Sequence, residues 1–115
     1  MPDPSTGATT HLQPDAGLSQ LPGPRGERFV ELFTHGTLAV ELYAPRGHDP
    51  QSPHEQDELY IVFQGRAVLE VEGERREAPA GTVLFVPARA RHRFYELTAD
   101  FAAWVVFWGP KGGER

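Results

Sequence analysis

Two short stretches of the sequence carry the residue types that a mononuclear metal site needs. His54 and Glu58 stand four positions apart, just before an apolar run, and His92 ends a second stretch that begins at Gly81. Divalent transition metals accept neutral imidazole nitrogens and carboxylate oxygens at roughly 2.0–2.2 Å. We therefore predict that these three side chains hold one metal ion and leave coordination positions open for chemistry.

The size and charge of the chain exclude several classes of function. Its 115 residues are enough for one domain and too few for two. The formal charge of -5 disfavours binding to nucleic acid, and the absence of cysteine excludes disulfides and thiolate ligands. Because neither a signal peptide nor a membrane-spanning apolar run is visible, we expect a cytoplasmic protein that binds no membrane.

The first 27 residues differ in composition from the rest of the chain. Nine of them are proline or glycine, and apolar residues are sparse. Such a segment cannot offset the entropy cost of becoming ordered by burying its own side chains. We predict a flexible tail over residues 1–27 and a folded domain over residues 28–115.

The elements that must position the predicted ligands are strands. After the tail, apolar residues recur with a period close to two, between frequent turn signals. A hairpin is predicted around His35 and Gly36, in which Leu38, Val40 and Leu42 share one face of the second strand. Further strands are predicted over residues 58–63, 67–71, 83–86, 92–96 and 102–108. This pattern indicates a sandwich or a barrel.

The stretch around His54 has the spacing of a known motif: a glycine, then His-x-His, a glutamate three or four residues later, and a second glycine after six more. Three residues separate His54 from Glu58, and six separate Glu58 from Gly65. Gly47 leads the motif. Ser52 stands where the first motif histidine would be.

The stretch around His92 has the spacing of a companion motif: Gly, five residues, Pro-x-Gly, two residues, His, three residues and Asn. Gly81, Pro87 and His92 keep that spacing. Arg89 replaces the second glycine of the motif, and Glu96 replaces its asparagine. Both replacements bear mainly on the geometry of turns.

With these two motifs the chain resembles the cupin family over roughly residues 29–108. The resemblance implies an all-β fold, a single-domain double-stranded β-helix or jelly-roll barrel. It also implies one divalent transition metal, held inside the barrel by His54, Glu58 and His92. Fe, Mn, Zn, Ni and Cu all accept such ligands, so the identity of the metal stays open.

The missing motif histidine leaves room for a substitute ligand from the neighbouring loop. The candidates are Ser52, Gln51, Gln56 and His48. Without a metal, Glu58 would instead pair with Arg91 or Arg93, and the histidines would bond to each other or to the backbone. Those two arginines and Arg89 could also bind a substrate carboxylate or phosphate at the mouth of the barrel.

Four aromatic residues are candidate walls of the pocket: Tyr60, Phe85, Phe94 and Trp104. Period-two alternation places Tyr60 on the same face as Glu58, and Phe94 on the same face as His92. Any one of the four could equally be an ordinary core residue.

The resemblance implies a metal-dependent enzyme of dioxygenase, isomerase or lyase type that acts on a small organic acid. A non-catalytic module that binds a small ligand, with or without metal, is the alternative. Strands 59–63 and 103–108 are apolar on both faces, so we also expect a homodimer. The fold does not determine the reaction, and the substrate stays open.

Overall fold

The computed structural model describes residues 9–115. Within that range the chain forms one short helix and eight strands, arranged as two antiparallel sheets. The elements are α1 (Pro14–Leu18), β1 (Phe29–His35), β2 (Leu38–Tyr43), β3 (Asp57–Gln64), β4 (Arg66–Val71), β5 (Glu74–Pro79), β6 (Val83–Val86), β7 (His92–Tyr95) and β8 (Ala102–Trp108). No helix in the described range is long and apolar enough to cross a membrane.

The two sheets enclose one hydrophobic core, and this confirms the predicted all-β jelly-roll barrel. One sheet has the strand order β1-β2-β8-β3-β6, and the other has the order β5-β4-β7. Tyr60 and Val62 on β3 point into the core, where they meet Leu69 and Phe94 from the smaller sheet. Because side chains alternate along a strand, every second residue of β3 and β8 is buried here.

The predicted hairpin around His35 and Gly36 is confirmed by the pairing of β1 with β2, and Gly36 has a positive φ of 56°. A second tight turn joins β4 to β5, where Glu72 and Gly73 have φ of 48° and 85°. The sequence did not predict β5, because five of its six residues are charged or proline, types that are depleted in strands. It forms an edge of the smaller sheet, where such residues are tolerated.

The second half of the predicted flexible tail is packed against the barrel. Leu18 and Leu21 contact the outer face of the larger sheet, in a cluster that includes Leu42 and Trp104. Gly17 is buried there, and a Cβ at its position would lie 2.8 Å from Leu42 Cδ1. The segment is ordered because the outer sheet face offers apolar surface that the segment cannot supply alone. Residues 1–8 of the predicted tail lie outside the described residues.

Two residues that depart from the motifs occupy turns with left-handed backbone. Arg89, at the position of a motif glycine, has φ of 66°, and Glu96, at the position of the motif asparagine, has φ of 54°. Glycine and asparagine are the residues that adopt this conformation most readily. The turns therefore keep the shape that the motif demands, with side chains that fit it less well.

Candidate metal centre

The three predicted ligands lie where the two sheets face each other. His54 lies in the loop three residues before β3, Glu58 is the second residue of β3, and His92 is the first residue of β7. The larger sheet supplies β3 and the smaller sheet supplies β7. One ligand atom from each residue lies within 4.8 Å of the others. The structure thus brings His92 to the pair of His54 and Glu58, from which it is more than 30 residues away in the sequence.

The distances within this group suit one bound ion. Glu58 Oε1 lies 3.3 Å from His54 Nδ1 and 2.9 Å from His92 Nε2. Two ligand atoms at right angles on bonds of about 2.1 Å would be about 3 Å apart. The carboxylate oxygen is therefore placed relative to both imidazoles as neighbouring ligands of one ion would be.

The backbone determines the orientation of the His92 ring. His92 Nδ1 lies 2.9 Å from the Ala90 carbonyl oxygen, which can only accept a hydrogen bond. Nδ1 therefore carries the proton, and in the neutral ring Nε2 has a free lone pair that points toward Glu58. A hydrogen bond from the outer nitrogen to a carbonyl is the usual way in which proteins orient a metal-binding histidine.

Two buried polar atoms in the group have no hydrogen-bond partner. They are Glu58 Oε2 and His92 Nε2, on side chains that are 1% and 0% exposed. Nε2 lies 2.9 Å from Glu58 Oε1, and in the neutral ring protonated at Nδ1 it has no proton to donate there. Burying unpaired polar atoms is costly, and a cation between them would remove that cost. The donor set thus fits a divalent metal.

Glu58 is in the form that binds a cation, whereas His92 would release a proton when a metal binds, because its ring is held partly as a cation by Glu58. Burial by itself would raise the pKa of Glu58, but the contacts with His54 and His92 bring it below the ordinary value. For His92, burial lowers the pKa, while Glu58 and the Ala90 carbonyl raise it above the ordinary value. Glu58 is therefore an anion at neutral pH, which is the form that binds a metal.

The alternative pairing of Glu58 with an arginine is not seen. In the described part of the chain its ion-pair partners are His54 and His92. Arg91 approaches Glu72 instead, donating its backbone N–H to Glu72 Oε2 at 2.5 Å. Since Glu58 meets two imidazoles rather than a guanidinium, the arrangement favours a metal site over a structural ion pair.

The candidates for the missing ligand have different surroundings. The Gln51 amide donates to Asp49 at 2.7 Å and accepts from the Tyr60 hydroxyl at 2.8 Å. Gln56 donates to two backbone carbonyls, and His48 is exposed and outside the cluster. Ser52 lines the cavities on both sides of the site, and its side chain is not held by hydrogen bonds of this kind.

Two of the four predicted pocket aromatics lie beside the ligands, and two do not. Tyr60 is buried 6.0 Å from the His92 ring, measured between ring centroids, and it packs edge-on against Phe94. Phe85 is 54% exposed, and Trp104 packs in the outer cluster with Phe63. The placement of Phe85 and Trp104 in the pocket is thus corrected, because alternation along β6 and β8 turns both side chains outward.

A buried carboxylate beside the site was missed by the sequence analysis. Asp49 is 2% exposed and accepts hydrogen bonds from the Tyr43 hydroxyl, from Gln51 Nε2, and from the Phe94 backbone N–H at 2.8 Å. Burial and the Asp49 carboxylate raise the pKa of Tyr43. These bonds tie the loop before His54 to both sheets. An aspartate in a proline-rich loop carried no signal of burial.

Two cavities adjoin the metal group, and Ser52 and Gln51 belong to the walls of both. The first has a volume of about 570 Å³ and includes His54, Glu31 and Glu41. We call it the acidic cavity. The second has a volume of about 540 Å³ and includes His92 and two arginines, Arg91 and Arg93. We call it the arginine cavity.

Glu41 in the acidic cavity was also missed, although the sequence held a signal for it. The predicted common face of Leu38, Val40 and Leu42 requires Glu41 to lie on the opposite face of β2. That face turns inward, toward the cavity that contains His54. The alternation was applied to the apolar residues alone, so the inward carboxylate was overlooked.

Comparisons with known proteins agree with the fold and motifs. The family model described as "Cupin domain" matches residues 39–108. An uncharacterized protein of Streptomyces coelicolor is 35% identical over 85 residues, which cover 72% of this chain and 81% of the relative.

Two solved structures extend the likeness. A Cupin 2 conserved barrel domain protein from Salinispora arenicola has a TM-score of 0.60 and 25% identity, covering 70% of this chain and 74% of that one. A structure from a set of DMSP lyases has a TM-score of 0.63 and 27% identity, covering 75% of this chain and 50% of that one.

Proposed function

This chain belongs to the cupin family, and from that premise we propose that it is a metal-dependent enzyme whose ion is held by His54, Glu58 and His92. The observation that carries the proposal is the pair of buried, unpaired ligand atoms, Glu58 Oε2 and His92 Nε2. When bound, a divalent ion would supply Lewis acidity or, if it is iron, redox chemistry.

The residues of the chain have separate tasks in this proposal. Glu58 offsets part of the charge of the ion, and the Ala90 carbonyl orients the His92 ring. Tyr60 and Phe94 form an apolar wall that excludes water on the inner side. His54 is half-buried and borders the acidic cavity, so a small molecule can approach the metal group from there.

The reaction is one that a small molecule undergoes at a single metal centre, of dioxygenase, isomerase or lyase type. The likeness to a DMSP lyase structure supports a lyase among these classes. A small organic acid, the substrate class expected from the resemblance, would find basic partners in the arginine cavity, where Arg91 and Arg93 adjoin His92. The acidic cavity offers a different chemistry.

The test is the metal content of purified protein. We expect about one divalent ion per chain after loading and desalting. Glu58→Gln and His92→Ala should lose it, because each removes one of three ligands. His35→Ala and Glu77→Gln, which change exposed residues outside the group, are the matched controls. Retention of the ion by Glu58→Gln, with the fold intact by circular dichroism, would contradict the proposal.

The second candidate is a ligand-binding module without turnover. Ser52 at the position of the first motif histidine favours it, because the described ligand set has three members rather than four. Elemental analysis of protein purified without added metal separates the two. A stoichiometric redox-active metal supports the enzyme, whereas protein that holds no metal supports the module.

A further inference from the structure

Two carboxylates face each other on the wall of the acidic cavity. Glu31 on β1 and Glu41 on β2 are register partners in the antiparallel hairpin, and both line the cavity beside His54. Glu31 is exposed at the rim, and Glu41 is half-buried. Like charges directly opposite on neighbouring strands destabilise a sheet. The pair therefore costs stability, and binding of a ligand would account for its position.

The environment of the pair favours the protonated form of Glu41. Burial is the main cause that raises the pKa of Glu41, and the charges of Glu31 and Glu58 raise it further. His54 acts in the opposite direction, with a smaller effect than burial and Glu31. The pair lies beside the metal group, because His54 lines the same cavity.

Apart from the metal ion proposed beside His54, the other groups of the cavity offer an anion no cationic partner. Among residues 9–115, no arginine or lysine lines this cavity. Glu55 lines it as well, but its carboxylate is paired with Arg89 at 3.0 Å. The remaining polar walls include Gln51 and Ser52, which are uncharged. A substrate carboxylate or phosphate would meet the two glutamates at close range in a partly buried site, where repulsion is strong.

We propose that the pair of Glu31 and Glu41 selects the substrate, and that the substrate is an uncharged molecule with several hydroxyl groups rather than the small organic acid that the resemblance implies. Its O–H groups would donate to the two carboxylates, while another of its oxygens faces the metal group next to His54. This inference rests on the proposed function, since one oxygen of the ligand would face the proposed ion.

The experiment compares two ligands of the same carbon skeleton. D-sorbitol is uncharged, and D-gluconate has a carboxylate in place of one hydroxymethyl group. Both are titrated by calorimetry, and by the visible spectrum of the Co²⁺-loaded protein. We expect the wild type to bind sorbitol more tightly than gluconate. In Glu31→Gln/Glu41→Gln the ratio of the two dissociation constants should shift toward gluconate by about tenfold or more, since charge repulsion is removed.

Controls separate this inference from the proposed function. The exposed variant Glu77→Gln should behave as the wild type does, and the rim variant Glu31→Gln should show part of the shift even if the double variant does not fold. If the wild type holds metal but prefers gluconate, binds no sorbitol, or gives the same ratio as the double variant, the inference is overturned and the metal site stands. If the wild type holds no metal, the proposed function falls first.

Discussion

The acidic cavity and the arginine cavity share the walls formed by Gln51 and Ser52, yet they differ in charge and in burial. Glu41 points inward from the middle of β2 and is half-buried. Arg91 and Arg93 are exposed, because each lies next to His92 in sequence and alternation turns them away from the ring. A half-buried charge is screened less by solvent than an exposed one.

The burial of the charges, rather than their number, is the difference on which the proposed recognition by the acidic cavity rests. The arginine cavity has two guanidinium groups, but they lie in solvent, and Glu70 and Glu72 line the same cavity. In the acidic cavity Glu41 is half-buried, and its partner Glu31 lies at the exposed rim. We therefore propose that the acidic cavity recognises the substrate. Variants in the arginine cavity serve as the comparison that tests this proposal.

The largest expected effect concerns the imidazoles, one from each cavity. Loss of a residue that only orients a ligand weakens metal binding by up to about a hundredfold. His92→Ala and His54→Ala each remove a ligand itself, so each should weaken metal binding by more than that. His92→Ala should be the more severe, since its ring is fully buried and His54 is half-buried. Competition with a metallochromic dye measures both. Equal affinity of His54→Ala and wild type would remove His54 from the site.

The shared wall depends on Asp49. Asp49→Ala leaves the Phe94 backbone N–H and the Tyr43 hydroxyl without their acceptor in a buried place. The free energy of unfolding should fall by about 3 kcal/mol, because charged hydrogen bonds are lost and buried groups stay unpaired. Urea denaturation measures this, with the exposed Glu77→Ala as the control. A loss below about 1 kcal/mol would mean that the wall is held by other contacts.

The arginine cavity should matter little for an uncharged ligand. Arg91→Gln/Arg93→Gln should leave the affinity for sorbitol unchanged and weaken gluconate by no more than about fivefold, since exposed charge pairs contribute up to about 1 kcal/mol. The same titrations as above measure both. A strong loss of sorbitol binding would show that the arginine cavity, and not the acidic cavity, recognises the ligand.

The smallest effect is expected at Arg89, in the turn that leads to His92. Arg89→Gly relieves a left-handed backbone, but it increases the entropy of the unfolded chain and removes the exposed pair with Glu55. The net change in stability should be below about 1 kcal/mol.

Gly65→Ala is the informative contrast for that turn variant. Its Cβ would lie 2.9 Å from the Phe101 Cα, and its φ is 68°. Thermal unfolding should therefore show a clear destabilisation for Gly65→Ala and almost none for Arg89→Gly. An equal fall in the melting temperature for both variants would mean that the pair with Glu55 and the smaller entropy of the unfolded chain stabilise the Arg89 turn far more than we expect.

Much of the barrel could be predicted because it depends on local signals. Period-two alternation and turn residues identified the β1–β2 hairpin and most of the other strands. The signals failed at β5, whose charged residues are tolerated at an edge, and at residues 14–21, which are ordered by packing on a sheet face. In both places the stabilising partner lies elsewhere in the chain, so local composition was misleading.

The candidate site was predicted in part for a similar reason. Motif spacing identified His54, Glu58 and His92, and the structure brings these residues together. Phe85 and Trp104 were placed in the pocket because aromatic character alone does not tell which face of a strand is inside. The metal, the homodimer and the cytoplasmic location stay predictions.

The amino-acid sequence by itself determined the strand periodicity, the turns and the spacing of the three candidate ligands, because these follow from the chemistry of neighbouring residues. Only the tertiary structure decided which charges stand beside them. Glu31 meets Glu41 through the register of a hairpin, and Asp49 is buried through contacts with both sheets. Register and burial arise from packing between distant segments, and that packing gave the acidic cavity its carboxylate pair and left the arginines in solvent.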